Sequence, residues 1–364
     1  MNNFLKKYSS RTLSALLAVG LLTPALLHAA PEPSSGLSEI KKFLVTKLEF
    51  MDAATSDFSK NAAAYQQIID ANGGDYNRAA MANGPELLRL VGRMQDDYRT
   101  FHNKGYETIE GVVAGTKTFV AYDVYLDAGV PKAEASTDSP FSPLVLKSKS
   151  GRIISDRNGN LFHYVIEPAL WGTKSYYLEK LNPEAAEKLG VKYLPKADVL
   201  TAASQEATVK LDEFLAKAKA WQPTLDECVG ALIWMTPTLN AYFDEWRDSR
   251  YDPVASAGRY VAQSRVLDMR GIMSSLQITC EAILPELRQK NPALADQLKF
   301  EYQSIMNFLD RVDSRDKANG GKMSVAEIEE MAYQAKALTD QIAPHLKQMI
   351  VILNLKLPRK PVLS

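Results

Sequence analysis

The chain is poor in the residues that announce most known chemistries. It has two cysteines and four histidines in 364 residues. Cys228 and Cys280 do not form a Cys-x-x-Cys pair, so neither a dithiol redox motif nor a cysteine zinc site can be read from them. In an oxidising compartment they could pair with each other, provided that the two apparent helices carrying them touch. No His-Glu-x-x-His, Gly-x-Ser-x-Gly, phosphate loop or Gly-x-Gly-x-x-Gly occurs. Hydrolase and nucleotide-cofactor readings therefore have no motif of their own. Charge of one sign is not concentrated anywhere. Lys plus Arg and Asp plus Glu number 43 each, which argues against nucleic acid or anionic lipid as a partner. The eleven methionines are scattered at helical core spacing and form no copper-type cluster.

Long apolar runs are also missing, with one exception at the N-terminus. Lys6, Lys7 and Arg11 precede or open an apolar run from Leu13 to Leu27, and Ala29 and Ala30 follow it. A positive region, a short apolar region and small residues at a cleavage point make a secretory signal peptide. The run is too short for a spanning helix. The expectation is a signal over residues 1–30 and an exported mature chain, periplasmic in a Gram-negative host and not membrane-spanning. The three basic residues leave with the signal, so the mature chain is slightly acidic.

Helical periodicity fills most of what remains. A first helix is expected from about Leu37 to Ala71, with Leu44, Leu48, Met51, Phe58, Ala62, Tyr65 and Ile69 as its buried stripe. Asn72-Gly73-Gly74-Asp75 ends it. Pro85 suits the first turn of a second helix. Its stripe of Leu87, Val91, Met94, Tyr98, Phe101, Gly105 and Ile109 runs to near Gly111 or Gly115. Later helices are expected over 201–221, from Pro223 to about Arg250, and from about Gly258 to Lys290. Asn291 and Pro292 open another, which ends before Asn319-Gly320-Gly321. Ser324 and Glu327 then form a capping box, with Met323 able to staple onto Ile328. That last helix extends to about Leu355, and Pro344 is expected to kink or split it. The fold class expected is all-α, two helical bundles of the four-helix, up-down type. The N-terminal helical domain would span 31–199 and the C-terminal bundle 200–364.

Within the first domain, residues 117–199 break the pattern and form an irregular, partly β excursion. Thr118 to Tyr125 is β-branched and aromatic, a strand-like composition. Leu144-Val145-Leu146 and Arg152-Ile153-Ile154 read as short paired strands. Pro131, Pro140, Pro143 and the run Asp156 to Asn160 mark turns. A long irregular region inside a helical protein is more often functional than idle.

Near its centre, His163 and Glu167 stand four apart among Phe162, Tyr164, Ile166, Leu170 and Trp171. On a helix they share a face and could meet one metal ion or one proton. The ordinary reading of such a pair is a buried histidine bonded to a nearby glutamate. Pro168 biases Glu167 away from helical geometry. A second cluster, His102, Glu107 and Glu110, ends the second helix, with the two glutamates on one face. Acids at a helix C-terminus oppose its dipole and need a reason to be there. Arg265 and Asp268 stand three apart, and Ser264 and Asp268 four apart, among apolar neighbours. They could orient a ligand group, although a structural lock is the plainer reading. Trp246, Arg247 and Arg250 end a helix, for which a solvated helix end is the plainer reading. His345 lies on an apolar face and reads as a packed histidine.

At these residues the chain resembles the imelysin-like proteins, including the EfeO/EfeM-type periplasmic iron-uptake components. The likeness rests on Phe162-His163 with Ile166-Glu167 and Leu170-Trp171-Gly172, near the family's Gly-x-His-x-x-Glu hallmark and the Leu-Trp that commonly follows it. It rests also on Tyr106-Glu107-Thr108-Ile109-Glu110, and on the stretch from Phe243 to about Leu355. His163 and Glu167 are four apart where the family has three. The resemblance implies two four-helix bundles facing each other across a cleft. It implies a metal cation as cofactor or cargo, iron first and zinc second. The ligands would be His163, Glu167, Glu107, Glu110 and His102, with Trp171, Arg250, Ser264, Arg265 and Asp268 around them in the cleft. An inner-membrane or periplasmic transport partner would be implied as well. Some of these proteins were first described as peptidases, so a metal-activated water is the second expectation. A third is a non-catalytic module that docks a partner on Phe119, Tyr122, Tyr125, Phe141, Tyr176 and Tyr177.

Overall fold

In the computed structural model, the residues described are 35–130, 141–251 and 265–357. The expected signal peptide, Ser264 and the side chain of Arg250 lie outside them. α1 (Ser35–Ala71) follows directly from its apolar spacing. Leu44, Leu48, Met51, Phe58, Ala62, Tyr65 and Ile69 are all buried on one face, as a helix of period 3.6 requires. After the glycine turn, the Asp75 carboxylate accepts from the N–H groups of Asn77 and Arg78 and caps α2 (Tyr76–Tyr98),. α2 thus begins well before Pro85. The proline lies inside it beside a kink, where Asn83 leaves helical geometry at φ −130° and ψ 19°. Pro85 supplies no N–H and crowds the carbonyl four residues back.

The second helix does not run on to Gly111. It passes into a π-helical turn (Arg99–Asn103), a 3₁₀ turn (Tyr106–Thr108) and the short α3 (Glu110–Gly115). The strand-like run after Thr118 is helical too. α4 (Val120–Asp123) leads into a second π turn (Val124–Ala128). Phe119, Val120, Val124 and Leu126 are buried there, so burial rather than strand pairing accounts for the composition. The expected hairpin forms, with β1 (Leu144–Lys147) antiparallel to β2 (Ile153–Asp156) and Leu146 opposite Ile154. A third π turn (Phe162–Ile166) runs into α5 (Glu167–Leu170). β3 (Leu178–Lys180) and β4 (Tyr193–Pro195) pair around α6 (Pro183–Leu189).

The remaining helices are regular. α7 (Ala197–Ala220) lies along α1, and Ser59 Oγ meets Thr208 Oγ1 at 3.1 Å between them. α7 spans the 199/200 division read from the sequence. The helix expected from Pro223 to Arg250 is two, α8 (Leu225–Met235) and α9 (Thr238–Tyr251), parted at Thr236-Pro237,. α10 (Arg265–Lys290), α11 (Pro292–Ala318) and α12 (Val325–Leu353) follow and pack on one another. Asn291 caps α11, and Ser324 with Glu327 forms the full capping box of α12. α12 continues through Pro344 rather than splitting. Pro344 faces solvent, where water can satisfy the carbonyl it leaves unbonded.

The fold is all-α with a minor β excursion, and the described residues belong to one compact unit. Cys228 and Cys280 are both buried free thiols, so they do not pair. No helix among the described residues is long and apolar enough to cross a membrane. His345 packs as expected, with Nδ1 2.8 Å from Glu301 Oε1.

Candidate metal centre

Each of the three π turns delivers one polar side chain to the same buried place. Arg99–Asn103 brings His102, Val124–Ala128 brings Asp127, and Phe162–Ile166 brings His163. A π turn inserts one extra residue into a helix and re-aims the side chains around it, which is why such turns gather at functional sites. The third turn runs directly into a proline. Pro168 has no N–H to give the Tyr164 carbonyl, and the Glu167 N–H bonds to the Phe162 carbonyl, five residues back. Glu167 stays helical (φ −59°, ψ −50°), against the bias that Pro168 imposes, because Pro168 occupies the first turn of α5, where no N–H is required. Asn160 Oδ1 accepts from the His163 N–H at 2.7 Å and fixes where that turn begins.

His102 Nε2 lies 2.9 Å from Glu107 Oε1 and 3.1 Å from Asp127 Oδ1. His163 Nε2 lies 3.1 Å from the same Asp127 oxygen. Both imidazoles are held from behind. His163 Nδ1 is 2.6 Å from Glu167 Oε2, and His102 Nδ1 is 2.8 Å from Asn103 Oδ1. Those acceptors place the proton of each neutral ring on Nδ1, which turns the Nε2 lone pairs toward Glu107 and Asp127. Second partners of this kind fix the tautomer and orientation of metal-binding histidines. Glu167 is thus an orienting group behind His163 and not a ligand beside it. The rings are boxed by aromatics. Tyr98 stacks on His102 at 4.9 Å, and Phe162 meets it edge-on at 5.2 Å. Trp171 touches Tyr98 at 5.5 Å and carries Arg99 on its face, so it supports the box and does not line the centre.

A second group of carboxylates adjoins the first and shares Glu107 with it. Possible ligand atoms of His102, Glu107, Asp127 and His163 lie within 4.8 Å of one another, and so do those of Glu107, Glu110 and Asp268. Glu110 opens α3 instead of closing a long helix, so its charge sits at the favourable end of the dipole. Asp268 comes from α10. It can approach because Gly111 and Gly271 carry no side chain. A Cβ on Gly111 would stand 2.4 Å from Ser275 Oγ and 2.8 Å from the Ile272 carbonyl, and one on Gly271 would stand 2.8 Å from the Glu107 carbonyl. Arg265 pairs with Asp268 and with Glu245, and lies over the Tyr242 ring at 4.9 Å. The Arg265–Asp268 lock read from the sequence is present, and it borders a cavity of about 150 Å³ that Glu110, Asp127, His163 and Asp268 also line.

Burial decides the electrostatics. It pushes Glu107 well above the carboxylate range, helped by the neighbouring Asp268 charge, and pushes Glu110 up likewise, helped by Glu107,. Asp123, which accepts from the Tyr106 hydroxyl at 2.6 Å, is raised to about 8 by burial and by Asp127. Asp127 goes the other way. Burial opposes its charge, but the His163 charge and hydrogen bonds from His102 and His163 outweigh that and hold it low. Burial disfavours protonation of both histidines, yet Asp127 draws their values up.

The centre therefore gathers His102, Glu107, Glu110 and His163 from the sequence reading, moves Glu167 behind it and brings Asp268 into it. Asp127 is the addition. Its trace in the sequence is the four-residue spacing from Asp123, within a run of strand-like composition. The aromatics offered as a docking surface are largely used internally. Phe119 and Tyr177 are buried and Tyr122 stacks on Phe214 at 4.5 Å, while Tyr176 remains about half exposed. Comparison of the chain with protein-family models finds no match, and comparison with curated proteins finds none either.

Proposed function

We propose that the chain is a periplasmic, imelysin-like protein that binds a metal cation at this centre, with iron as its cargo and a transport partner as its recipient. One observation carries the reading. The Glu107 side chain is 1% exposed and, with His102 Nε2 2.9 Å from its Oε1, it faces two imidazoles and three further carboxyls while neither of its oxygens makes a regular hydrogen bond. A carboxyl buried among other carboxyls is costly to ionise, and a coordinated cation removes that cost. His102, His163, Asp127 and Glu107 would hold the ion, with Glu167 and Asn103 orienting the rings. Imidazole with carboxylate suits iron, zinc or manganese, and iron is preferred on the resemblance to iron-uptake components.

The test is elemental analysis of mature protein purified without a histidine tag, before and after loading with Fe(II), Zn(II) or Mn(II). The His102→Ala/His163→Ala variant is carried alongside. Metal in the parent and its loss in a folded variant is expected, together with a higher Tm for the loaded parent, because a ligand that binds only the folded state stabilises it. No metal in the parent after loading would end the reading. Chelator-sensitive cleavage of a generic protein substrate would turn it toward a metallopeptidase.

A further inference from the structure

We infer that the centre is built for two cations bridged by Glu107, an inference that rests on the metal-binding reading above. Glu107 belongs to both ligand groups. On one side stand His102, Asp127 and His163, and on the other Glu110 and Asp268. A carboxylate between two cations uses one oxygen on each, and both Glu107 oxygens lack a hydrogen-bond partner. Glu110 Oε2 lacks one as well, so the second group has its own buried atom awaiting a donor. His102 Nε2 is near Glu107 Oε1, but its hydrogen bond is to Asp127. Beside the two rings, the Glu107 carboxyl faces other carboxyls, Asp268, Glu110 and Asp127, which without a cation can at most share a proton with it.

Charge counts toward the same number. The two groups hold four carboxylates, Glu107, Glu110, Asp127 and Asp268. Metal-bound imidazoles are neutral, and Arg265 divides itself between Asp268 and Glu245. With all four ionised, as ligation requires, one divalent cation would leave half of that charge uncompensated in a buried site, whereas two balance it. The geometry allows it, since bridged two-metal sites hold their ions about 3.5–4 Å apart and each ligand group here fits within 4.8 Å. Asp127 and His163 from one group and Glu110 and Asp268 from the other line the same cavity, so a small anion or water there could touch both ions. Ligands of this type and number suit Fe(II), Mn(II) or Zn(II).

The experiment is metal stoichiometry on the full mature chain loaded with Mn(II), read with the electron spin resonance spectrum of the same sample. Two ions per chain with an exchange-coupled spectrum is the expected result. Glu110→Gln/Asp268→Asn, with a parent-like circular dichroism spectrum, should retain one ion and show an isolated-ion spectrum. One ion per chain in the parent would overturn the bridge and leave the function proposed above standing. Two ions with only isolated-ion signals would also overturn the bridge. No ion after loading would remove both readings at once. The spectrum of the parent decides the matter even if the double variant fails to fold.

Discussion

Residues 265–353 and the described part of residues 99–170 differ in how they are helical. α10, α11 and α12 carry their apolar side chains at regular spacing, begin at side-chain caps where their starts are described, and pass two prolines, Pro285 and Pro344, without interruption. The stretch from Arg99 to Leu170 is broken into short α, 3₁₀ and π segments, and three of the breaks each carry a centre residue. The regular stretch gives that centre one carboxylate, Asp268, through a pair of glycines that let α10 come close. A scaffold of ordinary helices thus holds an irregular insert packed around Phe162, Tyr98 and Phe101. If so, changes in the regular stretch should alter stability and spare metal binding, and changes in the π turns should do the reverse.

The largest effect is expected from the scaffold. Phe308 on α11 is buried and packs against Phe243 at 5.7 Å. Phe308→Ala should cost about 3–5 kcal/mol of stability through lost burial and a cavity, measured by urea denaturation, with metal affinity unchanged in the folded protein. A loss of affinity as large as the loss of stability would mean that the two regions are not separable. Next comes Glu167→Gln. It keeps the shape behind His163 and removes the charge, and it should weaken metal binding by roughly 10–100-fold, as loss of an orienting partner does. The Tm of the metal-free protein should move little. Titration calorimetry measures the first and a thermal melt the second.

The pH dependence of the metal-free chain sharpens the same contrast. Glu107, Glu110 and Asp123 all have folded values above their unfolded ones, with Asp123 at about 8. His102 and His163 are raised too. A raised group binds more protons folded than unfolded, so its contribution is fully present below the unfolded value and is lost as pH rises through the folded one. Between about pH 4 and 8 the metal-free protein should therefore lose stability as pH rises, the histidines joining above about pH 6.5. Depressed carboxyls such as Asp127, Asp198 and Glu327 act the opposite way but mainly below that window. Bound metal should flatten or invert the slope, because the carboxylates are then ionised and paired. A thermal melt series at several pH values, with and without metal, reads both.

How much of this was legible in the sequence follows the same division. The stripes of α1 and α12 and the caps at Asn291 and Ser324 are direct consequences of spacing and hydrogen-bonding residues, so they could be read. His102, Glu107, Glu110, His163 and Asp268 were visible as polar residues in apolar surroundings. The turns that unite them were not, because a search for period 3.6 or 2 has no template for one inserted residue. That is why Asp127 was hidden in a strand-like run and Glu167 was given a ligand's place.

The smallest effect is the most direct test of the π turn at His163. Pro168→Ala restores an N–H that can donate to the Tyr164 carbonyl, and it removes the ring that crowds that carbonyl. If the missing N–H is what widens the turn, the segment should tighten toward ordinary α-helix and rotate His163 away from Asp127. Metal affinity should then fall severalfold, less than for Glu167→Gln, while stability stays level or rises because alanine is the better helix former by about 3 kcal/mol in a helix interior and by much less at a first turn. An unchanged affinity would place the cause elsewhere. Phe162, packed against Phe101 at 5.6 Å and Tyr106 at 5.5 Å, and the Asn160 bond to the His163 N–H would then be what hold the turn open. The proline would be tolerated by the π turn without causing it.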